Sequence, residues 1–225
     1  MYFILNAILI LLFLKNVSLL NKFLMNKVFL FFVTFSLSIT SFADSPLTST
    51  YFYLHYLNYS LVAEAQETKA ITHEMIVYIL DTENPIEIKV AIINALGWGN
   101  NSNENYLELR AYAMNKYDVY TDKKLFDKID GKVMVCFAYM KGLSDYFDVK
   151  YAVKMSKLAQ KKDQDSYCVN IIAALIQAQE YFNKNRWDMI YSTVNQVNNT
   201  TWRNDDMSDE AAVSLMEYIG YYKEE

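Results

Sequence analysis

The sequence predicts an all-α fold in which about eight or nine helices stack as antiparallel hairpins. The chain of 225 residues holds only 5 Gly and 2 Pro, whereas average usage would give roughly 16 and 11. A sheet protein of this length needs many Gly-rich or Pro-rich turns, so the composition favours helices with short connections. The clearest helix is "DSYCVNIIAALIQAQEYFN", because its apolar residues recur at the spacing of one helix face.

The first 43 residues predict an export signal. After Met25 the chain reads Asn-Lys, then about ten strongly apolar residues, then a polar exit that ends at Ala43, which is the layout of a secretory signal peptide. Ser41 and Ala43 are the small residues that a signal peptidase requires, so we predict cleavage between Ala43 and Asp44. Met25 is then a candidate start, and residues 1–24 are an upstream extension.

These features predict a secreted or periplasmic protein whose mature part is a helical domain over 44–225. In this interpretation the membrane is a partner only transiently, through the signal segment. An alternative keeps 1–43 as an uncleaved anchor, because a further apolar run, Tyr2–Leu14, precedes Met25. The protein would then be a membrane-tethered helical domain.

The mature chain opens with two predicted helices. Ser45 and Pro46, followed by three hydroxyl residues, offer caps for a helix that runs through Tyr59. Residues 68–81 predict a second helix, because its apolar residues share one face.

The next helix has the strongest start signal in the chain. Asn84 is predicted as its cap, Pro85 as its first residue and Glu87 as the partner of a capping box. The helix over 86–96 is apolar nearly all round, which predicts burial on most sides. Gly97 is predicted to end it.

Another helix is predicted over 100–117, and a highly charged connection, "TDKKLFDKIDGK", follows it. This connection is the predicted boundary, near 121–131, if the domain divides into two subdomains.

Five further helices are predicted after that boundary. Asp165 or Ser166 caps the clearest of them, and Ser208 caps the last, where Asp209 and Glu210 favour the positive end of the helix. The five segments are 132–143, 146–160, 165–183, 186–197 and 208–225.

This half contains a weak internal repeat. "YFDVKYAV" at 146–153 lies 40 residues before "RWDMIYST" at 186–193, and each copy follows an apolar helix. The pattern loosely resembles HEAT and tetratricopeptide arrays, with a spacing nearer the HEAT value. The resemblance implies a right-handed or mixed-handed array of helical hairpins. The alternative is that ordinary antiparallel helix packing produces the same pattern.

The charge of the chain argues against nucleic acid as a partner. The whole chain carries a formal charge of −5, and residues 44–225 carry 18 basic and 26 acidic residues, a net charge of −8. An acidic body does not attract phosphates, and the sequence has no cluster of Lys and Arg.

The residues that commonly carry chemistry do not form a motif. His73-Glu74 resembles the start of H-E-x-x-H, but position 77 is Val, so no metal site is predicted. Cys136 and Cys168 are predicted to be free thiols, with a disulfide as the alternative. Capping of helices accounts for the three acidic pairs, Asp163/Asp165, Asp205/Asp206 and Asp209/Glu210. We therefore assign no catalytic residue and no cofactor.

Three tryptophans are the candidate binding residues. Aromatic residues make up 16% of the chain, and Trp98, Trp187 and Trp202 are suited to the rim of a binding surface. The first hypothesis is an exported, non-catalytic protein that binds a protein or peptide. The second is a hydrolase-type enzyme outside the cytoplasm whose carboxylates converge from distant helices. The membrane-tethered domain is the third.

Overall fold

The computed structural model describes residues 45–223, and in this part the chain is built from α-helices without a strand. This confirms the all-α class. The ten helices of this part, labelled α1 to α10 in chain order, are Ser60–Thr68, His73–Leu80, Ile86–Leu96, Ser102–Lys116, Asp122–Lys128, Gly131–Ser144, Lys150–Lys162, Tyr167–Asn183, Ile190–Asn198 and Asp209–Ile219. Short 3-10 turns lie at Phe52–Tyr56, Trp187–Met189 and Gly220–Tyr222.

The chain from Ser45 onward forms one compact unit. Within it, α4 and α6 pack against each other across the charged segment near 121–131. The signal segment and its cleavage point at Ala43–Asp44 lie outside the described residues. None of the helices between residues 45 and 223 is both long enough and apolar enough to cross a membrane.

Two segments differ from the sequence prediction. The helix predicted to run through Tyr59 is instead a 3-10 turn followed by α1, because the side chain of Asn94 binds the Tyr53 amide and the Thr50 carbonyl. The charged connection contains helix α5, since Thr121 caps it and Leu125 is fully buried.

Helix α3 is buried, as its sequence predicts: every residue except Glu87 is buried. Gly97 ends the helix at a φ of 67°, in the region that favours glycine. The predicted cap at Asn84 is wrong. Its side-chain amide donates to the Tyr78 carbonyl 3.0 Å away, and Pro85 flanks the first turn without a side-chain cap.

The polar residues of α3 connect it to distant parts of the chain. Asn94 accepts a hydrogen bond from the Tyr53 amide (3.0 Å) and donates to the Thr50 carbonyl (2.9 Å) and the Tyr139 hydroxyl (2.8 Å). The Lys89 ammonium donates to the Asp81 carbonyl. These bonds satisfy groups that would otherwise be buried without a partner, which stabilises the packing of α3.

Glu87 at the start of α3 binds residues from an early and a late part of the described chain. Its carboxylate accepts from the Tyr56 hydroxyl (2.8 Å) and from the Ser208 amide (3.1 Å). The first 3-10 turn is thereby held between α3 and α10, which both pack against it.

The second half consists of buried helices covered by amphipathic ones. Helices α6 and α8 are buried along most of their length, and each packs against the helix that follows it, α7 and α9 respectively. The predicted caps at Ser166 and Ser208 are confirmed, because their hydroxyls accept from the Val169 amide (3.0 Å) and the Ala211 amide (3.3 Å).

The N-terminal segment is inserted into this half. Leu47 is fully buried, and its Cδ2 lies 3.1 Å from the position that a Cβ on Gly142 would occupy. The Leu47 amide donates to the Gln179 side-chain carbonyl 3.3 Å away. A buried glutamine of α8 therefore binds a backbone N–H of the turn at residues 45–49.

Candidate functional site

A groove of about 300 Å³ lies between α7, α8 and α9, and Trp202 is part of its lining. Its lining follows from helical spacing. Helix α7 contributes positions 156, 157 and 160, and α8 contributes 173, 174 and 177. Residues spaced i, i+1 and i+4 share one side of a helix, so each helix presents one side to the groove.

The floor of the groove is apolar and small. Ala173 and Ala174 are buried on α8, and Val197 is partly buried on α9. Small side chains on two packed helices leave room above them, whereas larger residues here would fill the groove.

Trp202 is held in a fixed position. Its indole N–H donates to the Val197 carbonyl 2.9 Å away, and part of the ring packs against the core. Because the polar atom is satisfied inside the protein, the ring offers the groove an apolar surface on which a ligand can stack.

Three glutamines belong to the polar part of the lining, together with Ser156, Lys157, Thr193 and Thr200. Gln160 donates its side-chain amide to Asn170 (2.9 Å), and Gln177 donates its own to Glu180 (2.8 Å). Within residues 45–223 the side-chain carbonyls of both accept no hydrogen bond, and Gln196 makes none through its side chain. The wall thus presents acceptors to a ligand.

The lining includes Lys157 and no acidic residue. Glu180 lies close by. Burial raises its pKa, but hydrogen bonds from Lys184 and Gln177 and the charge of Lys157 together lower the pKa by a larger amount, so the net shift is downward. Glu180 also forms a salt bridge to Lys184 at 2.8 Å. The lining itself therefore carries one positive charge.

The other two tryptophans lie in separate aromatic clusters. Trp187 packs against Phe182 at 4.7 Å between ring centroids and stacks on Tyr222 at 6.3 Å. Trp98, which is 37% exposed, contacts Tyr146 at a centroid distance of 5.0 Å. Among the described residues no ring contact joins the three tryptophans, and of the three only Trp202 lines the groove.

Sequence reasoning singled out Trp202 but missed the glutamines. The signal that was available is their spacing: Gln160 follows Ser156 by four positions, and Gln177 follows Ala173 and Ala174 by four and three. Polar residues on an exposed helix side are common, so that pattern alone does not distinguish a groove from ordinary surface.

The acidic pairs contribute to the structure. Asp206 accepts from the Ser166 hydroxyl (2.7 Å) and from the Cys168 amide (2.8 Å) at the start of α8. Asp165 pairs with Arg203 at 3.5 Å. Asp209 and Glu210 lie in the first turn of α10, as predicted.

The remaining candidate groups are His73 and the cysteines. His73 lies against Tyr112 with ring centroids 5.3 Å apart. No group of three His, Cys, Asp or Glu residues within 45–223 is placed to hold a metal ion. Cys136 and Cys168 are free and buried. Burial raises the pKa of Cys136 to about 12 and that of Cys168 well above its usual value, so neither is a reactive thiolate near neutral pH.

Comparisons with models of protein families, with curated protein sequences and with solved structures found no match to this chain.

Proposed function

We propose that this chain is an exported, non-catalytic α-helical protein that binds a protein or peptide segment in the groove at Trp202. The observation that carries the proposal is the anchored indole: its N–H is satisfied by Val197, and its ring faces a groove with an apolar floor and amide walls. A peptide supplies matching groups, because its apolar side chains can pack against the floor of the groove and its backbone can form hydrogen bonds with the glutamine side chains.

The same proposal includes a HEAT-like or tetratricopeptide-like stacking of helical hairpins. It is supported by the pairs α6–α7 and α8–α9, in which a buried helix precedes an amphipathic one. Helices α7 and α9 begin 40 residues apart, at Lys150 and Ile190, which equals the spacing of the sequence repeat. Stacked hairpins commonly form concave binding surfaces.

Export remains part of the proposal and rests on the sequence of residues 25–44. Cleavage between Ala43 and Asp44 would deliver the helical domain to the periplasm or the exterior, and retention of 1–43 would leave it tethered to a membrane. The mass of the exported protein tests this point, because a mass that still includes Lys27 excludes the cleavage.

The binding proposal is tested by blocking the groove. Thr193 lines the groove and is partly exposed, whereas its neighbour Ser192 is exposed and does not line it. We expect Thr193→Phe to fill the groove and Ser192→Phe to leave it open. Immobilised wild type and both variants are incubated with a pool of random synthetic hexapeptides, and the retained peptides are counted by mass spectrometry.

Retention by wild type and Ser192→Phe but not by Thr193→Phe supports the groove as the binding site. Equal retention by all three proteins would place peptide binding elsewhere and contradict the proposal. We expect both variants to fold, since substitutions at partly exposed positions away from buried features change stability by about 0.5 kcal/mol or less. Circular dichroism checks this.

A further inference from the structure

The protein itself shows how a glutamine of α8 binds a backbone N–H, in this case from the turn at residues 45–49. Gln179 is fully buried and accepts a hydrogen bond from the Leu47 backbone amide at 3.3 Å. Its own side-chain amide donates to Asn183 (2.9 Å). The carbonyl end of the side chain is thus used for a peptide N–H, while the amide end is engaged within the helix.

Gln177 repeats this arrangement on the other side of the same helix. Two residues correspond to about 200° of rotation around an α-helix, so Gln177 points away from the Leu47 segment and lines the groove. Its amide end is engaged by Glu180, three residues on, and its carbonyl end accepts nothing within the described residues. Gln160, across the groove on α7, has the same division: its amide donates to Asn170, and its side-chain carbonyl accepts nothing within residues 45–223.

These carbonyls determine what a ligand must supply. Two acceptors on opposite walls require hydrogen-bond donors from the ligand, and a peptide backbone in extended form carries one N–H per residue on alternating sides. The apolar floor at Ala173 and Ala174, together with the ring of Trp202, suits an apolar side chain between those donors.

Lys157 favours a ligand that carries a negative charge, because it is the charged residue of the groove lining. It is exposed at the groove, and within residues 45–223 its ammonium donates no hydrogen bond to a side chain or carbonyl. The charge of Lys157 acts on the nearby Glu180, but the hydrogen bonds of that carboxylate come from Lys184 and Gln177, so the Lys157 ammonium can pair with an anion of a ligand.

We propose that the ligand of this groove is an extended peptide segment that carries a carboxylate, which pairs with Lys157 while backbone N–H groups of the segment bind Gln160 and Gln177. This inference rests on the proposed function, because it specifies the ligand of the same groove. The carboxylate is either the C-terminus of the segment or an acidic side chain.

The experiment uses three pools of random hexapeptides, each free of Asp and Glu except where stated. The first pool ends in a free carboxylate, the second ends in a carboxamide, and the third ends in a carboxamide with one Glu at a fixed position. Dissociation constants are measured by calorimetry for wild type, for Lys157→Gln and for the matched control Lys154→Gln. Lys154 is an exposed lysine on the same helix that does not line the groove.

We expect wild type and Lys154→Gln to bind at least one carboxylate pool about two- to fivefold more tightly than the carboxamide pool, which is the contribution of an exposed ion pair. Lys157→Gln should lose that preference and still bind. The preference of wild type should also shrink as salt is added. Comparison of the first and third pools identifies the source of the carboxylate.

Three outcomes overturn the inference. Equal binding of all three pools by wild type refutes the carboxylate and leaves the peptide-binding groove in place. A preference that survives Lys157→Gln places the carboxylate away from this lysine. Failure of every pool to bind wild type refutes the inference together with the proposed function.

Discussion

Helix α3 and the groove between α7, α8 and α9 use the same kinds of side chain for different purposes. In α3 the amide of Asn94 has three partners within the protein, and Lys89 donates to a backbone carbonyl. In the groove, the side-chain carbonyls of Gln160 and Gln177 and the side chain of Gln196 form no hydrogen bond within residues 45–223. Buried polar groups without partners are costly, so the paired set stabilises the fold, while the open set borders solvent and is available to a ligand.

The first prediction compares one amide from each region and carries the largest expected effect. Asn94→Leu leaves the Tyr53 amide, the Thr50 carbonyl and the Tyr139 hydroxyl without their partner in the core, which should lower the free energy of unfolding by about 3–5 kcal/mol. Gln196→Leu, on the exposed side of α9, should change it by no more than about 0.5 kcal/mol. Urea denaturation followed by circular dichroism measures both, and similar values would contradict the distinction.

The second prediction concerns close packing at two glycines of α6. A Cβ on Gly131 would lie 2.5 Å from Cβ of Asp163 and 2.9 Å from the Ala159 carbonyl oxygen, so the backbone would have to move. At Gly142 the nearest atom is Cδ2 of Leu47, at 3.1 Å, and that side chain can adjust. We expect Gly131→Ala to destabilise by about 1–3 kcal/mol and Gly142→Ala by less.

Thermal denaturation of the two variants checks this order. A larger loss at Gly142 would mean that the N-terminal segment, rather than the contact between α6 and α7, is the less adaptable part of the core.

The third prediction is a smaller effect that depends on pH. Burial, with a contribution from the charge of Asp205, raises the pKa of Tyr167 to about 12, from an ordinary value near 10. The unfolded chain therefore loses this proton first. The contribution of Tyr167 to the free energy of unfolding is complete below about pH 10 and is lost as the pH rises through 12. By pH 11 we expect a loss of no more than about 1 kcal/mol, because the hydroxyl is partly exposed and solvent weakens the effect.

Tyr167→Phe provides the control, because it removes the titrating group together with its hydrogen bond to Asn198. The loss of stability of wild type between pH 9 and 11 should exceed that of the variant. An equal or greater loss in the variant would show that Tyr167 does not titrate in this way.

The sequence predicted most of the fold because its signals are local. The structure confirms three such predictions: the burial of α3 on most sides, its end at Gly97, and the caps at Ser166 and Ser208. Each of them depends on neighbouring residues. The N-terminal helix prediction failed because Asn94, more than 40 residues away, binds the backbone there instead. A tertiary contact of that kind has no local signature.

The groove was predictable only in part, for the same reason. Trp202 was a candidate from its residue type, but the same reasoning selected Trp98 and Trp187, which lie in other aromatic clusters. Gln160 and Gln177 come together only when α7 packs on α8. A groove is formed by residues of several helices, so it can be predicted only when the packing of those helices is known.

The most direct test of the groove is the nuclear magnetic resonance signal of its indole. The three tryptophans give three side-chain N–H signals, which Trp98→Phe and Trp187→Phe assign. On titration with the hexapeptide pool that ends in a free carboxylate, we predict that the Trp202 signal shifts in proportion to binding while the other two stay in place. Movement of the Trp98 or Trp187 signal with Trp202 unchanged would contradict the groove as the binding site.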